Sequence, residues 1–583
     1  MIVEMKKVMI ATRLADRDKL LDSLAETGVV HLSPVEPDLA VPCEESINKL
    51  DRLNRARNIL SSLTTRESSS DLSAQEAADE TLNITNENTD LSSRLNTFKQ
   101  QIDRLNIWGD ATVEQFKSIS ESGLNFGFYY IKQAELSQIK AECVEVIAPG
   151  KPALAAVASR NDIVVPDSAE QLHLPDVDRP NLRRQTEEVN TKIRQNQQRL
   201  GQLASLTDSI QKEIETAEQQ QLFTVARKGG LQQSELFAVQ GWCPAEISET
   251  LAGALKNKGV ESLVQILTPE EDEEPPTLIK YPGWTRPIKG LFDILGTVAG
   301  YREFDVSVPF MLALPFFAAI LIGDGGYGAV LFFGLLLGYK KIAPVLGKEF
   351  THLLIAIGAA ALIWGCICAS FFGVELYKPL IPVNMSNASR NLMMKISFYV
   401  GAIHLSIAQL WAALKLAPNL KFLSKIGWAI FVWGMLGVVL MFVLGGQLNM
   451  ETIWPYLLIV GAALAIIFEK PTKNIIKMLA LGIASFPLAM LSAFSDVISY
   501  VRLMAVGLAS SVLAQSFNEL ATGIDFMPLT ILILIFGHSL NIGLALIALF
   551  AHGVRLNMLE FSNNLGMQWG GHLYAPFSIK KAS

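Results

Sequence analysis

No GxxxxGK[ST] loop occurs anywhere in the 583 residues, so the chain offers no backbone cradle of that kind for nucleotide phosphates. Cysteine is scarce. The five cysteines, Cys43, Cys143, Cys243, Cys366 and Cys368, are scattered, and the closest pair is a CxC inside an apolar run. That spacing excludes a disulfide framework and paired-thiolate metal sites, and it suits a reducing compartment. Positive charge is not in excess either: the net charge is −7, with no basic cluster, which argues against nucleic acid as a partner. The first residues, MIVEMKKVMIATRLADRDK, lack an apolar h-region, so no cleavable signal peptide is expected. From about Val308 onward charge itself becomes scarce, whereas up to about Pro276 the chain is rich in charge, Gln and Ser. The split predicts a cytoplasmic domain over residues 1–285 fused to a membrane domain over 286–583.

Within the first half, Lys6 to Leu32 reads as strand, helix and strand, with Gly28 placed as a helix C-cap. His31 reads as a surface or packing residue. Leu91, Leu95, Phe98, Ile102 and Leu105 recur at spacings of 4, 3, 4 and 3, a heptad seam. A second arm carries Val189, Ile193, Leu200, Leu203, Ile210 and Ile214, interrupted by polar Asn196 and Thr207. Arms over 44–107 and 181–220 predict an antiparallel coiled-coil rod, with a distal α+β lobe over 108–180 between them. A second α+β lobe is expected from 1–42 with 226–275, followed by an acidic linker, Thr268 to Pro276. The predicted fold class is an α-helical membrane protein with an α+β cytoplasmic domain.

Hydropathy gives eight expected spans: Phe304–Gly323, Asp324–Tyr339, Leu353–Phe372, Leu392–Leu416, Leu423–Gly446, Ile453–Phe468, Ile475–Leu520 and Leu529–Glu560, the last two long. Lysines cluster at alternate ends (Lys340, Lys341, Lys348; Lys421, Lys425; Lys470, Lys473, Lys477; Lys580, Lys581), while the Gly446–Glu451 and Ala521–Pro528 loops have no Lys or Arg. The positive-inside rule then puts both termini in the cytoplasm.

The seventh span carries one arginine, Arg502, at a cost of about 2.5–3.5 kcal/mol on insertion scales. Compensation requires a buried partner or a watery pathway. At helical spacing Ser492, Ser495, Ser499, Arg502, Val506 and Ala509 share one small, polar face. In the last span His538, Asn541, Ala545, Ala548, His552 and Arg555 fall on one stripe, spaced 3, 4, 3, 4 and 3. Four polar residues on one stripe point to a pathway lining. Asp496 is off the Arg502 face; Asp324, in GDGGYG, reads as a turn residue and Glu560 as interfacial. His404 and Glu519 have no assigned role.

SDVISYVRLMAVGLASSVLAQSFN, GHSLNIGLALIALFAHGVRLNMLEF and FDVSVPFMLALPFFAAILIGDGGYG, together with KKVMIA, LAETGVVHL and VQGWCP, resemble the a/I subunit of rotary V-type and A-type ATPases over the whole chain. The resemblance implies a non-catalytic stator without cofactor. It would be held by peripheral-stalk E/G-type subunits, in a complex with central-stalk and A/B nucleotide-binding subunits. Its membrane half would embrace a rotating proteolipid c/K ring in a bacterial or archaeal membrane. It further implies that Arg502 faces the ring carboxylate with Arg555 in support, between two offset half-channels carrying H⁺ or Na⁺. Relatives in this family often have a carboxylate a dozen residues before the arginine; Phe486 to Ala489 has none, so Ser492, Ser495 and Asp496 are expected to line the cytoplasmic half-channel instead. A stand-alone secondary transporter with a regulatory rod is the alternative, although no repeat runs across the eight spans. A membrane-anchored scaffold would leave Arg502 and the histidine stripe unexplained.

Overall fold

The computed structural model describes residues 1–63, 72–173, 176–270, 273–384, 386–445, 452–471 and 474–579. The Gly446–Glu451 loop, part of the acidic linker, and Lys473, Lys580 and Lys581 lie outside them. By its internal contacts the chain forms two units, one of Met1–Thr12, Val29–Ser33 and Gln240–Phe577, the other built chiefly on Pro34–Val239.

In the second unit four helices, Glu44–Ser61, Ala74–Arg104, Arg179–Leu203 and Thr207–Gly229, enclose Leu53, Leu60, Ile84, Leu203, Ile210 and Ile214. Cross-links run in opposite sequence directions, Arg199 to Glu80 (2.7 Å) and Asn196 to Glu87 (3.0 Å), so the two long helices are antiparallel. Asn196 also donates to Asn88 (2.9 Å), and a polar pair inside a seam fixes register. Thr207 sits where a 3₁₀ turn, Ala204–Leu206, separates two helices. Between the arms lies a four-stranded antiparallel sheet ordered Cys143–Ala148, Ala153–Ser159, Asn125–Ile131, Glu170–Leu172.

The first unit opens on an antiparallel sheet whose order is His31–Ser33, Leu236–Pro244, Met5–Arg13, Leu263–Leu267. Val8 and Ile10 alternate into its core. A strap after the last helix closes on this sheet: Phe577 N–H donates to Val30 (2.8 Å), and Ala575 N–H to Nδ1 of His31 (3.1 Å). Burial, then the nearby His572, pushes the His31 pKa below its ordinary value. A base whose folded pKa is depressed contributes stability above its unfolded pKa of about 6.5 and loses it as pH falls through the lower folded value. The expected result is faster hydrogen exchange at the Ala575 amide at pH 5.5 than at 7.5, after correction for intrinsic rates. His31→Gln removes that difference; equal protection at both pH values in the native chain would refute the assignment.

Among the described residues five helices are long and apolar enough to cross a bilayer: Lys348–Cys368, Asn387–Leu416, Lys421–Leu444, Ile475–Thr522 and Met527–Leu565. A sixth, Gly325–Leu337 with Tyr339–Leu346, bends by 91°. Ser307–Ile322 and Ile453–Phe468 have 16 residues each, about 24 Å of helix, short of the ~30 Å hydrocarbon layer. Of the eight segments expected from hydropathy, five are helices of spanning length among the described residues, one is the bent pair and two are short. The Arg502 segment is also not uniform: it breaks at Tyr500 into Ile475–Ser499 and Val501–Thr522. The final helix turns π-helical over Leu549–Val554 and Leu556–Phe561.

Candidate functional site

Arg502 is the second residue after the Tyr500 break. The break is held from the side: Tyr500 is fully buried, its hydroxyl bonds Nδ1 of His404 (2.7 Å), and His404 stacks on Phe561 at 4.5 Å. Arg502 donates through Nε to the Ser499 carbonyl (2.9 Å) and through a terminal nitrogen to Oε1 of Glu560 (2.5 Å). Glu560 is 5% exposed at its side chain and Arg502 20%, so this is a largely desolvated ion pair, the compensation that an intramembrane arginine needs. The reading of Glu560 as merely interfacial is corrected by this contact. The π-turns carry Glu560 inward, and Arg555, itself half exposed, approaches the same oxygen at 3.7 Å.

A guanidinium has five N–H donors, and two are taken by Ser499 and Glu560 among the described residues. The same face of the Arg502 helix is open. Ser492, Ser495, Ala505 and Ala509 are exposed, with Ser499 and Val506 half-buried. Only 6% of the most apolar stretch of Ile475–Thr522 is buried and 17% of that in Met527–Leu565, against 61% in Asn387–Leu416. The chain's longest apolar helices are its least covered.

Asp496 does not touch Arg502; it accepts from Asn564 Nδ2 (2.8 Å), which also reaches the Glu560 carbonyl (2.7 Å), and Gln409 donates to Asn564 Oδ1 (2.7 Å). Gln409 Oε1, Asn557 Oδ1, Glu560 Oε2 and His552 Nδ1 are buried without a partner among the described residues. Orphaned acceptors gathered round two carboxylates are the places where internal water is ordinarily held.

His538 and Asn541 belong to a separate cluster. Asn541 Nδ2 donates to the Tyr327 hydroxyl (3.0 Å) and to the Ser510 carbonyl (2.8 Å). An amide oxygen only accepts, so His538 Nε2–H donates to Asn518 Oδ1 (3.2 Å), and Nδ1 of the neutral ring accepts from the Tyr327 hydroxyl (2.8 Å). The last-helix stripe runs over roughly 17 residues, about 25 Å of helix, so its two ends meet different neighbours: Arg555 joins the Glu560 end, while His538 and Asn541 pair with Tyr327. Asp324, fully buried, accepts from Gly326, Tyr327, Phe372 and Gly373 N–H groups and the Ser370 hydroxyl. It caps the Gly325–Leu337 helix and ties down the 370–375 hairpin. Sequence reasoning missed Glu560, Gln409, Asn564, Tyr327 and Asn518. Only Asn564, four residues beyond Glu560, carries a local signal.

Residues 163–371 match the V-type ATPase 116 kDa subunit family. The V-type ATP synthase subunit I of Borreliella burgdorferi is 28% identical, covering 100% of both chains. Subunit I 1 of the Treponema pallidum V-type ATP synthase is 26% identical over 99% of this chain and 100% of its own. The A-type ATP synthase subunit I of Methanocaldococcus jannaschii is 25% identical over 59% of this chain and 55% of its own. A crystal structure of the cytoplasmic N-terminal domain of subunit I, homolog of subunit a, of V-ATPase aligns to 45% of this chain and 100% of that one at 15% identity, with a TM-score of 0.19. With full-length bacterial relatives named subunit I and an archaeal one beside them, the chain is similar along its whole length to subunit I of V- and A-type ATP synthases.

Proposed function

We propose that the chain is the membrane stator of its rotary complex and that Arg502 meets the carboxylates of a rotating proteolipid ring. The observation that carries this is a desolvated Arg502–Glu560 pair on the two least covered apolar helices, beside an open strip of Ser and Ala. Such a strip lets a second helix come close. Arg502 is gripped from behind by Ser499 and Glu560, with its remaining donors available to an incoming carboxylate. A fixed cation there favours the ionised form of that carboxylate and blocks direct passage between the two half-channels. Peripheral-stalk E/G-type subunits would hold the 1–285 domain, with central-stalk and A/B nucleotide-binding subunits completing the complex. Eight spans, counting the two short apolar helices, would keep both termini cytoplasmic.

Copurification tests this reading. Tagged chain, extracted mildly, brings down a proteolipid ring and nucleotide-binding subunits; coupled transport by the chain alone would refute it.

On the cytoplasmic side, the route would pass Ser492, Ser495 and Asp496 and the orphaned oxygens of Gln409, Asn557 and Glu560. The Tyr327, His538 and Asn541 cluster would border the opposite route. Asp496→Ala is expected to cut ATP-driven uptake about tenfold or more with assembly intact, since an intramembrane carboxylate is ordinarily retained for a pathway. Unchanged uptake removes Asp496 from the route.

A further inference from the structure

One cavity of about 530 Å³ lies outside the ion route, within the first unit. Its walls come from both ends of the membrane region. Tyr281 and Phe292 precede the first apolar helix, and Trp569 and Tyr574 belong to the strap after the last one. Phe292 and Trp569 meet at 5.6 Å between ring centroids. Backbone bridges Thr277–Leu573 and Val298–Gly570 close the strap over it. The volume is in the range of small-ligand sites, roughly 300–1,000 Å³.

The helix Pro287–Leu295 forms one side and is sharply two-faced. Ile288, Leu291 and Phe292 are buried, while Trp284 just before it and Ile294 and Leu295 at its end are exposed. Exposed Trp and aliphatic side chains beside Lys and Asp, immediately ahead of an apolar helix, are the composition of a segment lying in the membrane interface. Gly296, directly after Leu295, lines the cavity, so its mouth opens beside those apolar side chains.

We propose that this cavity binds the headgroup of a zwitterionic phospholipid bearing a primary amine, with the acyl chains running out past Ile294 and Leu295. Both signs of charge stand at the mouth. Lys289 Nζ and Asp293 Oδ2 are 2.7 Å apart, each about half exposed. A phosphate has Lys289 to face, and an ammonium has Asp293 and the aromatic walls. A purely anionic headgroup would meet both Asp293 and Asp305. Asp305 is held by the Met1 ammonium (2.5 Å) and the Ser307 N–H (3.0 Å), whereas the Lys289–Asp293 pair is exposed and weak enough to open, Lys289 turning to the phosphate and Asp293 to the ammonium. Burial, with Asp305 and Asp293 adding to it, pushes the Tyr281 pKa up, so Tyr281 remains a neutral phenol able to donate to a phosphate oxygen.

The test uses the intact, delipidated complex and native mass spectrometry with three probes: phosphatidylethanolamine, phosphatidylglycerol and water-soluble phosphoethanolamine. Phosphatidylethanolamine is expected to bind at least about tenfold more tightly than phosphatidylglycerol, Asp293→Lys to remove that preference, and Lys289→Glu to weaken both lipids by taking away the cation that faces the phosphate. A headgroup diazirine should label peptides covering 277–307 and 566–574. Equal binding of the two lipids, a preference unchanged in Asp293→Lys, or label confined elsewhere would overturn the site. Phosphoethanolamine binding as tightly as the lipid would overturn its assignment to a lipid. Both charges are on the surface, so neither substitution threatens the fold, and neither touches the Arg502 site.

Discussion

ATP-driven ion uptake by vesicles bearing the complex is expected to fall to about a hundredth or less when Arg502 is replaced by alanine, because the permanent cation beside the open Ser and Ala strip is lost and Arg555, on the last helix, remains only as a second cation 3.7 Å from Glu560. The substitution has a second consequence. It leaves Glu560, 5% exposed, with Arg555 at 3.7 Å in place of its closer partner, and breaking a buried pair from one side costs up to about 3–5 kcal/mol. Part of any loss could therefore come from weakened assembly, and the double variant Arg502→Ala/Glu560→Gln separates the two. With both charges gone no buried carboxylate has lost its partner, and the half-exposed Arg555 can stay solvated, so assembly should return towards the native level while uptake stays absent. Arg502→Lys keeps the charge but not the fork that reaches Ser499 and Glu560 together, and it should assemble yet transport poorly. Glu560→Gln alone should leave Arg502 in place without its counter-charge, slowing uptake less than loss of the arginine does. Coupled uptake retained in Arg502→Ala would make Arg502 a structural arginine and remove the central claim.

Arg502 could be found in the sequence because it is a lone charge deep inside an apolar run, and the Ser and Ala positions around it share a face at simple helical spacing. Asp324 was legible for a similar reason: an acidic residue directly before GG at the start of an apolar helix is a local capping signal, and its N-cap bonds span two or three residues. Glu560 was not legible. Hydropathy ends the span near it, whereas the helix continues to Leu565 and the π-turns rotate the carboxylate inward. The stripe from His538 to Arg555 assumed 3.6 residues per turn throughout, and from Leu549 onward the π-turns depart from that spacing. The remaining partners are too distant in sequence to be inferred from periodicity. His404 and Tyr500 are 96 positions apart, Gln409 and Asn564 155, and Tyr327 and His538 211. Pairings of that range depend on how helices pack, which composition constrains only through small residues at the crossings.

Those crossings carry the second large effect: Gly365→Ala should prevent the membrane region from reaching its native packing. A Cβ at Gly365 would stand 2.0 Å from Gly325 Cα and 2.1 Å from Gly325 N. Both are backbone atoms, so no side chain can rotate away. The same two helices also meet at Gly328, whose Cβ would lie 2.4 Å from Leu362 N, and at Gly358, 2.7 Å from Phe332 N. Three contacts along one seam mean that one methyl group must push the whole pair apart. Overpacking in a tight core costs about 1–3 kcal/mol, and an unrelieved backbone clash belongs at or above the upper end. The damage would also spread, because Gly325 follows Asp324 directly. Shifting it strains the five hydrogen bonds that hold the helix start and the 370–375 hairpin, and with them Tyr327 and its bonds to His538 and Asn541. Gly334→Ala on the same helix is the control: no heavy atom lies within 4 Å of its added Cβ, and alanine improves helix propensity by up to about 1 kcal/mol. Thermal unfolding in detergent and the yield of assembled complex should both drop sharply for Gly365→Ala and hold or rise for Gly334→Ala. Native-like melting and assembly of Gly365→Ala would mean that the two helices are not in backbone contact at this point.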